Sequence, residues 1–168
     1  MATHHKGTAA QARALNAYIP LLRVADSVAA EAARRVEALG LTLTQFGVLE
    51  ALLHMGPLSQ AELCRKLLRS GGNTTLVVRN LAAQGLIKRG RKMRMRAGKQ
   101  VQDRRAVIVE LTPGGRRKIR RIFPEHVDWV VLRMSCLGVE EQERLRELCR
   151  KLGRATSEEK EAKDRRAT

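Results

Sequence analysis

Leu15, Ile19, Leu22, Ala25, Ala29, Ala32, Val36 and Leu39 recur at steps of three and four residues. That period predicts one apolar face of a helix, with Gly40 ending it. Pro20 has no amide to donate, so this helix either kinks at it or begins near it. A second helix is expected over residues 43–55, capped by Thr42 or Thr44, with Phe46, Leu49, Leu52 and Leu53 inward and Gly56-Pro57 as its stop. Ser59-Gln60-Ala61-Glu62 is a capping box opening a third helix, which carries Leu63, Leu67 and Leu68 inward and ends at Ser70-Gly71-Gly72. A fourth helix runs from about Asn73 to Gln84. Val77, Val78 and Leu81 lie on one side of it, and Thr75, Leu76, Arg79 and Asn80 on the other.

The pattern then changes. Leu86-Ile87-Lys88-Arg89 and Val107-Ile108-Val109-Glu110-Leu111 read as two strands of a hairpin joined by a polar connection. Thr112 caps a fifth helix that has Pro113 in its first turn and Ile119, Phe123, Val127, Val130 and Met134 as its stripe. Pro124 should bend it. A sixth helix begins near Val139, with Glu140, Glu141 and Glu143 favourable at its positive end and Leu145, Leu148 and Leu152 on its apolar face. Residues 154–168 hold five basic and four acidic residues and no apolar side chain larger than Ala, and are expected to be a flexible charged tail. The fold class is mainly α: a helix-turn-helix with a two-stranded β wing, flanked by further helices at both ends. Residues 1–9 are expected to be a flexible N-terminus and residues 10–153 the folded domain.

Charge sharpens this picture. The 168 residues carry 33 Lys and Arg against 17 Asp and Glu, a formal charge of +16. An excess of that size favours a polyanionic partner, nucleic acid before an anionic membrane surface. Half of it sits in residues 88–105, which hold nine basic residues and one acid, Asp103. Arg116, Arg117, Lys118, Arg120 and Arg121 follow as a second block. The four aromatic residues, Tyr18, Phe46, Phe123 and Trp129, are too few and too scattered for a base-stacking platform. The basic residues flank strands and do not line an amphipathic helix with exposed apolar groups, which argues against a membrane-surface peptide.

Two short helices around a Gly-containing turn, the second with a polar outer face, make a helix-turn-helix, and the hairpin after it makes it winged. The second helix of such a pair fits the major groove, where base edges carry a readable donor and acceptor code. A hairpin of Arg and Lys suits phosphates and the minor groove, where the negative potential is strongest. Free amides at Gly72 and Asn73 can hold a phosphate.

With those residues the sequence resembles the MarR family of bacterial winged-helix regulators. The likeness is carried by Leu43-Thr44-Gln45-Phe46, by residues 56–63 (GPLSQAEL), by residues 81–89 (LAAQGLIKR) and above all by residues 103–112 (DRRAVIVELT). The last fits the family's D-x-R-x-x-x-V-x-L-T wing signature at each fixed position. The resemblance implies a mostly helical homodimer, with residues 10–40 and 113–153 as dimerisation helices and 43–112 as the DNA-binding part. It implies that Asp103 braces the wing by pairing with a basic neighbour, that Arg105 enters the minor groove, and that Asn73, Thr75 and Leu76 face the major groove. Three departures stand out. Leu76 occupies a position that is often basic or polar, and either touches a thymine methyl or packs inside. Arg79 replaces a usual acid and offers a phosphate or guanine contact alongside Asn80. The wing is longer than is usual, and its extra segment carries Arg91, Lys92, Arg94, Arg96 and Lys99, with Arg104 beside Arg105.

The family likeness further implies a repressor that a small phenolic or anionic effector releases from DNA. Oxidant sensing through a cysteine at the start of helix 1 is not supported, since that helix has none. Of Cys64, Cys136 and Cys149, Cys136 is the best redox candidate, near a loop and close to Arg133. None forms a C-x-x-C pair, and no metal ligand set or cofactor is expected. His54, His126 and Trp129 read as surface or packing residues. No nucleophile and base pairing or phosphate-loop motif suggests an enzyme. The expected setting is the cytoplasm. The competing reading is a DNA-architectural or RNA-binding protein with little sequence preference, in which the charge does the binding.

Overall fold

The computed structural model describes residues 4–67, 71–96 and 99–166, with the backbone alone for 71–73, 91–106 and 156–166. In chain order the elements are α1 (Ala9–Glu37), α2 (Leu43–Met55), β1 (Leu58–Ser59), α3 (Gln60–Lys66), α4 (Gly71–Ala83), β2 (Ile87–Arg96), β3 (Lys99–Leu111), α5 (Pro113–Met134) and α6 (Val139–Arg166).

Reciprocal caps start three of the helices. The Thr8 amide donates to Gln11 Oε1 at 2.8 Å while the Gln11 amide donates to Thr8 Oγ1 at 3.2 Å. This box fixes the start of α1 at Ala9, so Pro20 lies inside the helix and does not begin it. The same pair of bonds joins Thr42 and Gln45, which makes Thr42 and not Thr44 the cap of α2. Ser59 and Glu62 repeat the arrangement at α3. Each box satisfies two amides that a helix start leaves without partners. Gly40 and Gly56 end α1 and α2 at φ of 74° and 75°, a region that favours glycine.

The chain divides into two compact units, Met1–Ile122 and Phe123–Thr168, with the division inside α5 just before Pro124. In the first unit the core is built from Val36 of α1, Phe46, Leu49 and Leu52 of α2, Leu63 of α3, Val78 and Leu81 of α4, Val109 of β3 and Ile119 of α5, all fully buried. Side chains of this kind each contribute about 1.5–3 kcal/mol on burial. With Leu58 of β1 and Ile87 of β2, also buried, they draw on every element of the unit, so the helix-turn-helix and the wing share one core. The sheet is antiparallel in the order β1-β3-β2, with Leu58 opposite Val109 and Ile87 opposite Leu111. The sequence pattern did not suggest β1, because a strand of two residues has no period to display.

Two expectations are corrected. The basic connection between the strands is itself paired strand: β2 continues to Arg96 and β3 starts at Lys99. Met93, Met95 and Val101 alternate with polar residues there, a period of two that the charge density masks. The segment expected to be a flexible tail is helical to Arg166 as the end of α6. Its Glu, Lys, Arg and Ala are strong helix formers, so an apolar stripe is not needed to keep the pattern going.

In the second unit Trp129 is buried, and its ring lies 5.5 Å from that of His126. Gln142 Nε2 donates to the Met134 and Leu137 carbonyls at 3.1 and 3.0 Å and so closes the turn between α5 and α6. No helix among the described residues is long and apolar enough to cross a membrane.

Candidate nucleic-acid interface

Helix α4 has two distinct sides. Thr74, Val77, Val78 and Leu81 are buried, while Thr75, Leu76, Arg79 and Asn80 are exposed. Leu76 is 47% exposed, so it does not pack inside the unit. The Gln60 side-chain amide donates to Thr75 Oγ1, tying the first turn of α3 to the exposed side of α4. The backbone at Asn73 is in α4, and its side chain lies outside the described residues.

The base of the wing is held from three directions. Lys88 and Glu110 face each other across β2 and β3 and form an ion pair of 2.9 Å. The Thr112 hydroxyl donates to the Gly85 carbonyl at 2.7 Å and accepts from the Gly115 amide at 3.0 Å. The Thr112 amide donates to the Leu86 carbonyl at 3.1 Å. A Cβ at Gly115 would lie 1.9 Å from the Leu86 oxygen, so only glycine admits this approach of α5 to the corner between α4 and β2. The end of the exposed helix, the root of the wing and the start of α5 are thus one fixed junction.

Beyond the root, the hairpin register slips. Arg91 pairs with Val107, yet Lys92 pairs with Asp103. Arg104, Arg105 and Ala106 fall in the gap as a bulge on β3, a feature that bends a strand and re-aims its side chains. Past it, Lys92, Arg94 and Arg96 pair with Asp103, Val101 and Lys99. The side chains of Arg91, Lys92, Arg94, Arg96, Lys99, Asp103, Arg104 and Arg105 lie outside the described residues. Their backbone places all eight on one two-stranded arm that emerges from the same unit as α4.

Gln60, Glu110 and Thr112 hold the exposed side of α4 and the root of the wing in place, and the spacing of residues along the chain does not single them out for it. A strand residue of charge opposite to Lys88 was the available signal for Glu110. Nothing in the spacing joins Gln60 to Thr75. Cys136 is exposed and its thiol donates to the Arg133 carbonyl at 3.6 Å; Cys149 is exposed and Cys64 half-buried.

A helix pair with one exposed polar helix, followed by a basic hairpin sharing its core, defines a winged helix-turn-helix protein. The MarR family model matches residues 39–92, which span α2 to the first half of β2. The chain is 28% identical over 141 residues to the HTH-type transcriptional regulator MhqR of Bacillus subtilis, covering 84% of this chain and 92% of that one. It superposes on S. aureus MepR in its complex with DNA at a TM-score of 0.69 and 23% identity, covering 83% and 97% of the two chains. It superposes on the PcaV transcriptional regulator of Streptomyces coelicolor, in complex with its natural ligand, at a TM-score of 0.59 and 25% identity, covering 69% and 77%. Over residues 39–92, and over most of its length, the chain is thus similar to MarR-family regulators.

Proposed function

We propose that this chain is a MarR-family transcriptional regulator that binds duplex DNA as a homodimer, blocks transcription there, and is released by a small phenolic or anionic effector. Helix α4 lies in the major groove, where Asn73, Thr75, Leu76, Arg79 and Asn80 meet base edges and neighbouring phosphates. Thr75 and Asn80 supply donors and acceptors, Arg79 a fork suited to guanine or phosphate, and Leu76 an apolar contact for a thymine methyl. The arm of β2 and β3 carries Arg91, Lys92, Arg94, Arg96, Lys99, Arg104 and Arg105 to the minor groove and the backbone, with Asp103 opposite Lys92 as its brace.

The observation that carries this reading is the two-sidedness of α4: four exposed residues of base-reading chemistry on a helix whose other side is locked in the core. MepR bound to DNA supports the partner, and PcaV bound to its natural ligand supports an effector. Dimerisation is supported by apolar side chains that each unit leaves exposed: Tyr18, Leu22 and Val24 on α1, and Val131, Leu132, Leu148 and Leu152 on α5 and α6. The protein acts in the cytoplasm, and Cys136 is its one candidate for thiol chemistry.

Selection of sites from random duplex DNA at moderate salt tests the reading. An enriched inverted repeat with half-sites about one helical turn apart is the expected result. Tight, salt-sensitive binding to all duplexes with no enriched motif would replace it with the architectural reading.

A further inference from the structure

Arg116, Arg117, Arg120 and Arg121 make a cationic face on the first turns of α5 that the recognition helix and the wing do not use. All four are exposed. Helical spacing sets them opposite Gly115, Ile119 and Ile122, which are buried. Lys118, the fifth cation of the segment, has another explanation. Its Nζ lies 3.7 Å from where a Cβ at Gly40 would sit, beside the C-terminal end of α1, where positive charge is favourable.

The four arginines have no such account. Residues 112–122 contain no acid. Among the described residues, none of the four takes part in an ion pair. Arg116 and Arg120, and Arg117 and Arg121, are like charges one turn apart, an arrangement that destabilises a helix. Arg116 and Arg117 also sit at the positive end of the α5 dipole, with no acid in the first turn to offset them. The free protein is therefore less stable for carrying this face, and a polyanion would relieve it.

Position identifies the polyanion. The first turn of α5 is fixed to the corner between α4 and β2 by the Thr112 bond to Gly85 and the close approach of Gly115 to Leu86. The face therefore belongs to the same compact unit as α4 and the wing. Guanidinium groups match phosphate oxygens with paired donors. From Arg116 to Arg121 the helix rises about 7.5 Å, against 3.4 Å of axis per phosphate on one strand, so the face spans about two phosphates. We propose that the Arg116, Arg117, Arg120 and Arg121 face of α5 is a second, sequence-independent contact to the phosphates of double-stranded DNA. This inference rests on the DNA-binding reading and adds a site to it.

The test is a salt titration of binding to a random duplex, read by fluorescence anisotropy on the full chain. It compares the wild type, the Arg116→Gln/Arg117→Gln/Arg120→Gln/Arg121→Gln variant and the two double variants. The quadruple variant is expected to lower the log–log salt slope by about 2, and each double variant by about 1. Thermal unfolding of the free quadruple variant is expected roughly 2–5 °C higher, because the like-charge repulsion is gone. Higher stability together with weaker DNA binding separates a binding face from a structural one. An unchanged slope in a folded variant, while the wild type binds, overturns this inference and leaves the DNA-binding reading standing. An unchanged slope with weakened self-association assigns the face to a second copy of the chain and also overturns it. A wild type that binds no duplex overturns both.

Discussion

The Thr112 hydroxyl donates to the Gly85 carbonyl at 2.7 Å, joining residues 27 positions apart at the point where helix α4, the wing and helix α5 meet. Thr112 is the last residue of the wing signature, and its bond fixes where the arm leaves the unit. Thr112→Val keeps the shape and removes the hydroxyl, both the donor to Gly85 and the acceptor for the Gly115 amide. It is expected to cost about 0.5–2 kcal/mol in urea unfolding, the usual cost of a lost helix cap, since water can reach the exposed Gly85 carbonyl. Gly115→Ala is expected to cost more, about 4 kcal/mol or outright loss of folding, because the obstacle to the new Cβ is the Leu86 backbone.

Leu76 and Leu81 lie five residues apart on α4 and predict opposite outcomes. Leu81 is fully buried, so Leu81→Ala should destabilise by about 2–5 kcal/mol. Leu76 is half-exposed, so Leu76→Ala should stay within about 0.5 kcal/mol of wild type. On the selected site it should instead lose affinity for a particular thymine, and replacing that base by uracil, which lacks the methyl, should erase the difference between wild type and variant.

The extended arm should govern salt dependence. Replacing Arg91, Lys92, Arg94, Arg96 and Lys99 together by Gln should flatten the log–log salt slope by up to about 4.5, if each neutralises one phosphate. Preference between selected and scrambled sites should survive, since α4 is untouched. Lys88→Ala, at the root, should change stability by less than about 1 kcal/mol, because its ion pair with Glu110 is largely solvated.

The exposed leucines of α6 should matter only to assembly. Leu148→Lys with Leu152→Lys places charge on a face that one chain leaves open. Sedimentation equilibrium should show monomers, and binding to an inverted repeat should weaken while binding to a single half-site does not.

Much of this protein is legible in its sequence, for identifiable reasons. The turns of α2, α3 and α4 are fixed by local chemistry: capping boxes at Thr42 and Ser59, glycine at 40 and 56, and apolar residues at helical spacing. The two sides of α4 follow from the same spacing. What spacing conceals is the content of segments dominated by charge. The residues around Met93 and Met95 read as a connection because their cations outweigh an alternation of period two, and residues 154–166 read as a tail because helix propensity there comes without a stripe. Contacts between distant segments, such as Gln60 with Thr75 or Gly115 with Leu86, leave no local trace. They arise when two elements pack, and only the folded chain reveals them.

The central claim is that α4 reads sequence and that the basic surfaces hold the backbone. The most direct measurement is the ratio of affinities for the selected inverted repeat and a scrambled duplex, at one fixed salt concentration, for wild type and Arg79→Ala. A wild-type ratio of about 10³ or more is expected, falling by about 10-fold or more in Arg79→Ala while binding to the scrambled duplex changes little. A wild-type ratio near one would contradict it; a proportional loss of both affinities in Arg79→Ala would instead assign Arg79 to a phosphate.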